Sequence, residues 1–147
     1  MAGIYVHIPF CRHKCSYCDF VSFPDKIDYA EAYMACVYKE LKMRGDELKD
    51  YEFDTVYFGG GTPTSLTTPP MIRLLDAIRN SFDLSGLLEF TVEGGRPDTL
   101  DAEKLRTIAR CGADRMSINP QSMVDPVLRQ SGRPHKAEDV LRAYRQA

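Results

Sequence analysis

The most reactive side chains of this sequence are three closely spaced cysteines, Cys11, Cys15 and Cys18. Their spacing is C-x3-C-x2-C. Three thiolates on a short loop can ligate three irons of a [4Fe–4S] cluster, whereas electron-transfer clusters are generally held by four cysteines. The fourth iron would then be open to a small molecule, as the vacant position is in catalytic metal sites. We therefore predict a [4Fe–4S] cluster with one accessible iron.

Two other uses of these thiols stay open at this point. Zinc sites of this kind generally add a second ligand pair about 12–20 residues further along, and the sequence has no such pair. His13 could complete a zinc site only with a strained geometry, since it lies between Cys11 and Cys15. The three thiols could also have no common ligand and no shared function. The remaining cysteines, Cys36 and Cys111, have apolar neighbours at helical spacing, so we predict that they face the core.

A glycine run directly follows the second predicted strand, as Gly59-Gly60-Gly61-Thr62-Pro63. Glycines let a backbone approach a ligand closely and present its N–H and C=O groups. The run lacks the lysine of a P-loop and the spacing of a dinucleotide fingerprint. It predicts a turn that contacts a ligand, with a plain turn as the alternative.

Strands and helices alternate along the chain in four β-then-α units. The predicted strands cover 3–8, 53–58, 88–92 and 115–118. The predicted helices cover about 28–48, 68–82, 101–111, 125–131 and 136–146. Asp28, Thr68 and Asp101 are the predicted N-caps of the first three helices. Such alternation predicts parallel strands joined by right-handed crossovers, and so an α/β fold.

Each predicted strand ends in residues that could contact a ligand. These are the cysteine loop, the glycine run, Glu93 and the segment 119–121. Ligands of α/β folds bind at this edge of the sheet, so we expect the four segments to meet. A closed barrel of eight units needs about 250 residues. Four units therefore predict a small open sheet or a piece of a larger barrel, and the lack of a glycine stop after the last helix favours the piece.

Composition narrows the class of protein. The 147 residues suit one domain, and 44% of them are hydrophobic, enough for a core. Nineteen Lys and Arg against 21 Asp and Glu give a net charge of −2, which argues against binding nucleic acid or anionic membranes by bulk charge. No apolar run approaches the roughly 20 residues of a membrane span. An odd cysteine count without a secretory signal predicts a reducing, cytoplasmic location.

The cysteine spacing, with the aromatic Tyr17 before the last cysteine, resembles the radical S-adenosylmethionine (SAM) superfamily. The motif follows the first strand of a β/α repeat, as it does in that superfamily. The resemblance implies that the open iron chelates the amino and carboxylate groups of SAM. One electron then cleaves the sulfonium into methionine and a 5′-deoxyadenosyl radical. The glycine run resembles the superfamily's glycine-rich strand, which implies SAM contacts from Gly60, Gly61 and Thr62.

Further segments resemble oxygen-independent coproporphyrinogen III oxidases and their relatives. They are Tyr5–Cys11, Phe58–Thr64, and Gln121-Ser122-Met123 with Arg133 and His135 downstream. The resemblance implies that Glu93, Gln121 and Arg133 contact SAM. It also implies that Tyr17 contacts the adenine of SAM and that Tyr5 lies near the cluster.

The segments 91–98 and 117–123 resemble the coproporphyrinogen dehydrogenase-type branch of Gram-positive bacteria. This implies a radical SAM oxidoreductase of haem biosynthesis, with an electron donor as its partner. Its reaction would be the oxidative decarboxylation of coproporphyrinogen III propionates to the vinyl groups of protoporphyrinogen IX. A haem-trafficking relative that binds haem, or a catalytically incomplete fragment, are the alternatives.

The resemblance extends from Tyr5 to His135 but covers only part of the family's architecture. Relatives build a (β/α)6 partial TIM barrel and add a C-terminal domain. We therefore expect residues 1–147 to be the N-terminal portion of a radical SAM core, without the later strands and that domain. In such a fragment the fourth strand would have an unpaired parallel edge, which is a hazard for aggregation.

Overall fold

A four-stranded parallel sheet forms the centre of the protein, as the alternation predicts. The computed structural model describes residues 2–147. Its strands are β1 (Gly3–Ile8), β2 (Phe10–Cys11), β3 (Phe23–Pro24), β4 (Thr55–Gly60), β5 (Glu89–Glu93) and β6 (Arg115–Ser117). The large sheet has the order β1-β4-β5-β6, and each neighbouring pair in it is parallel. β2 and β3 form a separate short parallel pair.

The helices supply the crossovers that parallel strands require. They are α1 (Ala30–Glu47), α2 (Thr68–Ser81), α3 (Ala102–Arg110), α4 (Asp125–Gln130) and α5 (Ala137–Gln146). α1 connects β1 to β4 by way of the short pair, α2 connects β4 to β5, and α3 connects β5 to β6. The mixed α/β class with a parallel sheet is therefore confirmed.

The core lies between the sheet and the first helices. The rings of Phe58 in β4 and Phe90 in β5 stack with centroids 5.6 Å apart. α1 adds Met34, Val37 and Leu41 to the same apolar cluster, because these positions recur on one face of a helix. Burying each such side chain contributes about 1.5–3 kcal/mol relative to leaving it in water. This packing makes the sheet a rigid platform for the segments at its edge.

The strand register brings the carboxyl ends of the strands to one edge. Ile8 at the end of β1 lies opposite Gly60 at the end of β4, and Glu93 lies opposite Ser117. β4 runs two residues further than the predicted strand and includes Gly59 and Gly60. The segments that follow these ends therefore start close together in space.

Two of the three predicted N-caps are wrong. A 3-10 turn, Ile27–Tyr29, precedes α1, and the N–H of Ala30 donates to the carbonyl of Ile27, so Asp28 makes no cap. The N-cap position of α2 is Thr67 rather than Thr68, and the Thr67 side chain makes no capping hydrogen bond. Asp101 is confirmed, since its carboxylate accepts the N–H of Lys104 at 2.7 Å. Backbone turns before α1 satisfy the donors that side chains would otherwise cap.

The prediction that Cys36 faces the core is wrong. Cys36 is exposed, whereas Cys111 is half-buried and packs against the core. α1 buries Met34 and Val37, and each residue turns the helix by about 100°. Cys36 therefore lies off the buried face although it stands between two core positions.

β6 forms one edge of the large sheet. It pairs with β5 on one side, and within residues 2–147 no strand pairs with its other side. In the same part of the chain, no helix has both the length and the apolar character needed to cross a membrane.

Candidate functional site

A cavity of about 110 Å³ opens at the carboxyl edge of the sheet. Ten of the eleven predicted site residues line it: Cys11, Cys15, Cys18, Tyr17, Gly60, Gly61, Thr62, Glu93, Gln121 and Arg133. They come from five separate parts of the chain: the cysteine loop, the glycine run, the end of β5, the turn after β6 and the turn after α4. The structure thus brings together nearly all of the residues that the sequence singles out.

The cysteine loop, Cys11–Cys18, is held in a defined shape by backbone hydrogen bonds. The N–H of Cys18 donates to the carbonyl of Cys15 at 3.1 Å, which closes a tight turn between the two thiols. The N–H of Ser16 donates to the carbonyl of Ser131 at 3.2 Å and joins the loop to the turn after α4. The loop is therefore ordered by the fold around it.

Two of the three thiols lie beside hydrogen-bond donors. Cys11 Sγ is buried and lies 3.4 Å from Thr62 Oγ1, and Arg96 Nη2 donates to Cys15 Sγ at 3.3 Å. Hydrogen bonds and positive charge near sulfur stabilise thiolates and the sulfurs of iron–sulfur clusters. The chemistry of the lining therefore fits an anionic cluster held by these cysteines.

The same residues do not form a site for a single metal ion. Ligands of one zinc ion must all lie about 2.0–2.3 Å from it. Within residues 2–147, no three His, Cys, Asp or Glu side chains are grouped in that way. A [4Fe–4S] cluster assigns each cysteine to a different iron, so its three sulfurs need not converge on one point.

The glycine run leaves space beside Cys11. A Cβ on Gly61 would lie 3.0 Å from Cys11 Sγ and 2.8 Å from the carbonyl oxygen of Phe10. Gly60 has a φ of 114°, in the region that glycine adopts without strain, and a Cβ there would lie 2.9 Å from the carbonyl oxygen of Ile8. A side chain at position 61 would crowd the thiol of Cys11, whereas one at position 60 would crowd the ring of His7 and the carbonyl of Ile8.

Glu93 ends β5 with its carboxyl group in the cavity wall. Asn119 Nδ2 donates to Glu93 Oε1 at 2.9 Å. Burial raises the pKa of Glu93, while the bonds from Asn119 and from the N–H of Gly60, and the charge of Arg133, oppose that rise. The carboxyl group is thus positioned by neighbours that favour its charged form.

Arg133 connects the cysteine loop to the segment after β5. Its Nε donates to the hydroxyl of Tyr17 at 3.0 Å, and its Nη1 donates to the carbonyl of Gly95 at 2.8 Å. Burial raises the pKa of Tyr17, and the bond from Arg133 acts in the opposite direction. The buried guanidinium therefore fixes one wall of the cavity.

Gln121 takes an unusual backbone conformation, with a φ of 61°. A residue other than glycine pays about 1–2 kcal/mol in this left-handed region. The strain falls on a residue that lines the cavity, where strained backbone is often found at functional sites. The turn after β6 thereby brings Gln121 into the lining.

Tyr5 is the predicted site residue that does not line the cavity. Its ring stacks on Tyr57 with centroids 6.2 Å apart, and its hydroxyl donates to His7 Nδ1 at 2.9 Å. His7 Nε2 in turn donates to the carbonyl of Val21 at 2.8 Å, so both imidazole nitrogens are used. Burial and the charge of Glu93 raise the pKa of Tyr5. Its placement near a cluster stays a prediction.

Seven lining residues were not among the predicted site residues, and Arg96 and Asn119 are two of them. Arg96 is almost fully buried, with 2% of its surface exposed, and Asn119 holds Glu93. Both lie just beyond the carboxyl end of a strand, as Gln121 does, and Glu93 is itself the last residue of β5. That position is the sequence signal that could have identified Arg96, and Asn119 lies in the segment 119–121 that the same signal had already singled out.

Comparison with known proteins agrees with this site. The family model of the radical SAM superfamily matches residues 5–147. The oxygen-independent coproporphyrinogen-III oxidase-like protein HemZ of Bacillus subtilis is 39% identical over 97% of this chain and 29% of its own length. The heme chaperone HemW of the same organism is 36% identical over 100% of this chain and 39% of its own length. The chain thus spans less than half of these relatives.

A solved structure shows the same fold. Coproporphyrinogen III oxidase (HemN) from Escherichia coli, a radical SAM enzyme, superposes with a TM-score of 0.91 and 25% identity. The match covers 99% of this chain and 33% of that one, as a partial barrel would. Because the family model spans all but the first four residues, the chain belongs to the radical SAM superfamily.

Proposed function

We propose that this chain is the cluster- and SAM-binding, N-terminal portion of a radical SAM core. Cys11, Cys15 and Cys18 would hold a [4Fe–4S] cluster, and the other predicted lining residues would hold SAM. The observation that carries this proposal is the convergence of these residues on one cavity at the carboxyl edge of the sheet. All five cysteines are free in the described residues, which is in keeping with the reducing cytoplasm that we also propose.

The residues of the chain bind and orient, whereas the cofactors supply the difficult chemistry. When bound, the cluster and SAM supply a one-electron cleavage of the sulfonium that generates a hydrogen-abstracting radical. The guanidinium of Arg133 offers donors to a carboxylate, and Glu93 offers acceptors to amino or hydroxyl groups. The absence of a side chain at Gly61 keeps the space beside Cys11 Sγ clear.

The substrate that we propose is coproporphyrinogen III, with an electron donor as partner. Each reacting propionate side chain would lose a hydrogen atom, then CO₂ and one electron to an acceptor, and become a vinyl group. The similarity to HemZ and to the structure of HemN supports this assignment. The amino-acid sequences of segments 91–98 and 117–123 support the assignment as well, because they resemble the coproporphyrinogen dehydrogenase-type branch.

A second candidate function is haem binding. The relative named heme chaperone HemW in Bacillus subtilis matches the whole chain at 36% identity, close to the value for HemZ. The two relatives match this chain at similar identity and over less than half of their own length, so the similarity does not separate the two functions. A haem titration and a decarboxylation assay on a full-length relative of this sequence would separate the two candidates. Stoichiometric haem binding without protoporphyrinogen formation would favour the chaperone.

The test of the core proposal is anaerobic reconstitution with iron and sulfide, followed by absorbance and EPR spectroscopy. We expect the wild-type chain to take up a [4Fe–4S] cluster. Each of the variants Cys11→Ser, Cys15→Ser and Cys18→Ser should fail to take up the cluster. The matched control Cys36→Ser should take it up as wild type does, because Cys36 is exposed on α1. No cluster, or stoichiometric zinc in its place, would contradict the proposal.

A second measurement tests SAM chemistry. The reconstituted chain is reduced with SAM present, and 5′-deoxyadenosine is quantified. Its formation would show that the first four β/α units suffice to generate the radical. A cluster without deoxyadenosine would show that this chain holds an incomplete SAM site.

A further inference from the structure

The cavity contains a buried positive charge that the proposed roles leave unused. Arg96 is 2% exposed, and its guanidinium is a positively charged group. A buried charge is costly unless an opposite charge or hydrogen bonds compensate it. Four ion pairs form within residues 2–147, and none of them includes Arg96. No carboxylate of residues 2–147 therefore lies within ion-pair distance of the Arg96 guanidinium.

The contacts of the guanidinium point to the cysteine loop. Nη2 donates to the carbonyl of His13 at 2.6 Å and to Cys15 Sγ at 3.3 Å. Nη1 is buried and has no hydrogen-bond partner, and the side chain lines the cavity. Because both nitrogens belong to one planar group, the free donor lies at the same wall as the thiol of Cys15.

The backbone of Arg96 is fixed by a chain of buried hydroxyl groups. The hydroxyl of Thr99 donates to the carbonyl of Arg96 at 2.7 Å, and Thr64 Oγ1 lies 2.6 Å from Thr99 Oγ1. Thr64 and Thr99 are themselves buried. These bonds fix the backbone of Arg96, and the bond from Nη2 to His13 fixes its guanidinium. The group is therefore positioned in the cavity wall before a ligand binds, and such preorganisation favours binding.

We infer that Arg96 binds the iron–sulfur cluster: Nη2 holds the Cys15 ligand and the free Nη1 donates to a sulfur of the cluster. This inference rests on the proposed function. A cluster with three thiolate ligands is anionic, and reduction adds one more negative charge. The charge of Arg96 then favours the reduced form and slows loss of the cluster. Arg133 differs, since its Nε and Nη1 are bonded to Tyr17 and Gly95.

The test measures the cluster in the reconstituted 147-residue chain without SAM. We expect Arg96→Gln to lose iron to a chelator about tenfold or more faster than wild type. Its midpoint potential, from an EPR-monitored redox titration, should shift to a more negative value. Arg96→Lys keeps the charge without the fork of donors, so its potential should lie nearer to wild type while iron loss stays fast. The control Arg73→Gln, exposed on α2, should change neither quantity.

The outcomes separate this inference from the proposed function. A wild-type chain that takes up no cluster overturns both. A loaded wild type with an Arg96→Gln variant of equal iron retention and potential overturns only the role of Arg96. If a separate equilibrium titration with SAM shows weaker binding by an Arg96→Gln variant whose iron retention and potential equal those of wild type, the guanidinium acts on SAM and the inference is overturned. If Arg96→Gln fails to fold by circular dichroism, unchanged iron retention in Arg96→Lys overturns the inference.

Discussion

Arg133 and Tyr17, 116 residues apart in the chain, share a hydrogen bond of 3.0 Å from the guanidinium Nε to the phenol oxygen. The bond joins the turn after α4 to the cysteine loop. It also places the ring of Tyr17 in the cavity wall beside Cys15 and Cys18. The geometry of the loop therefore depends on the last third of the sequence.

Removing the hydroxyl of Tyr17 should destabilise the ligand-free protein. Tyr17→Phe leaves the buried Nε of Arg133 without its partner. We expect the free energy of unfolding to fall by about 1–3 kcal/mol, measured by denaturant titration. Tyr51→Phe is the control, because Tyr51 is exposed, and it should change stability little. Equal stabilities of the two variants would contradict a structural role for the bond.

The carboxyl group of Glu93 should make stability depend on pH. Its pKa in the folded protein lies above the ordinary value of 4.5, because burial disfavours the charge. The stabilisation that protonated Glu93 adds to the free energy of unfolding is therefore fully present below pH 4.5. It is lost as the pH rises through the pKa of the folded protein. Glu93→Gln removes the charge, so it should raise the melting temperature near neutral pH.

Thermal melts of the ligand-free protein between about pH 4 and pH 8 check this prediction. The curves of wild type and Glu93→Gln should converge at the acid end and separate as the pH rises. Glu52→Gln, at an exposed position, should show no such divergence. A variant that is less stable than wild type at neutral pH would show that the hydrogen bonds of Glu93 outweigh its burial.

Glycine at position 121 should relieve backbone strain and impair ligand binding. Gln121 has a φ of 61°, and glycine reaches this conformation freely. The relief of about 1–2 kcal/mol is partly offset by the greater entropy of glycine in the unfolded chain. A net gain in stability of up to about 1 kcal/mol is expected, together with weaker SAM binding by the loaded protein.

Asp25→Gly is the matched control for this prediction. Asp25 has a similar φ of 57° but does not line the cavity. Both variants should gain stability in denaturant titrations, whereas equilibrium binding of SAM should weaken only in Gln121→Gly. Unaltered SAM affinity in Gln121→Gly would exclude a binding role for that side chain.

A methyl group on Gly61 should disturb the cysteine loop. Its Cβ would lie 3.0 Å from Cys11 Sγ and 2.8 Å from a backbone oxygen, so the strand end and the loop must separate. Overpacking of this kind costs about 1–3 kcal/mol. Gly61→Ala should therefore lower both the melting temperature and the iron bound after reconstitution.

Gly86→Ala provides the comparison, because a Cβ there would meet only one atom, 3.9 Å away. It should leave iron uptake unchanged and stability equal or slightly higher. Full iron uptake by Gly61→Ala would show that the loop adapts and that the spacing at Gly61 is not essential.

The sequence alone determined the order of the β/α units and most of the lining of the cavity. Hydrophobic periodicity marked the strands, and parallel strands necessarily end at one edge of a sheet. Residues after those ends, such as Glu93 and Gln121, could therefore be assigned to one site before any coordinates. The cysteine spacing identified the loop that meets them.

Only the tertiary structure decided the burial of Arg96, the exposure of Cys36 and the position of Tyr5, because these depend on contacts between distant segments. Arg96 has the appearance of a solvated loop residue, but its guanidinium is buried because it reaches His13, 83 residues earlier. Cys36 is exposed because the rotation of α1 about its axis is set by the packing of its neighbours. Tyr5 lies outside the cavity because its strand aligns it with Tyr57. Burial and helix rotation arise from the packing of the whole chain, so local spacing does not specify them.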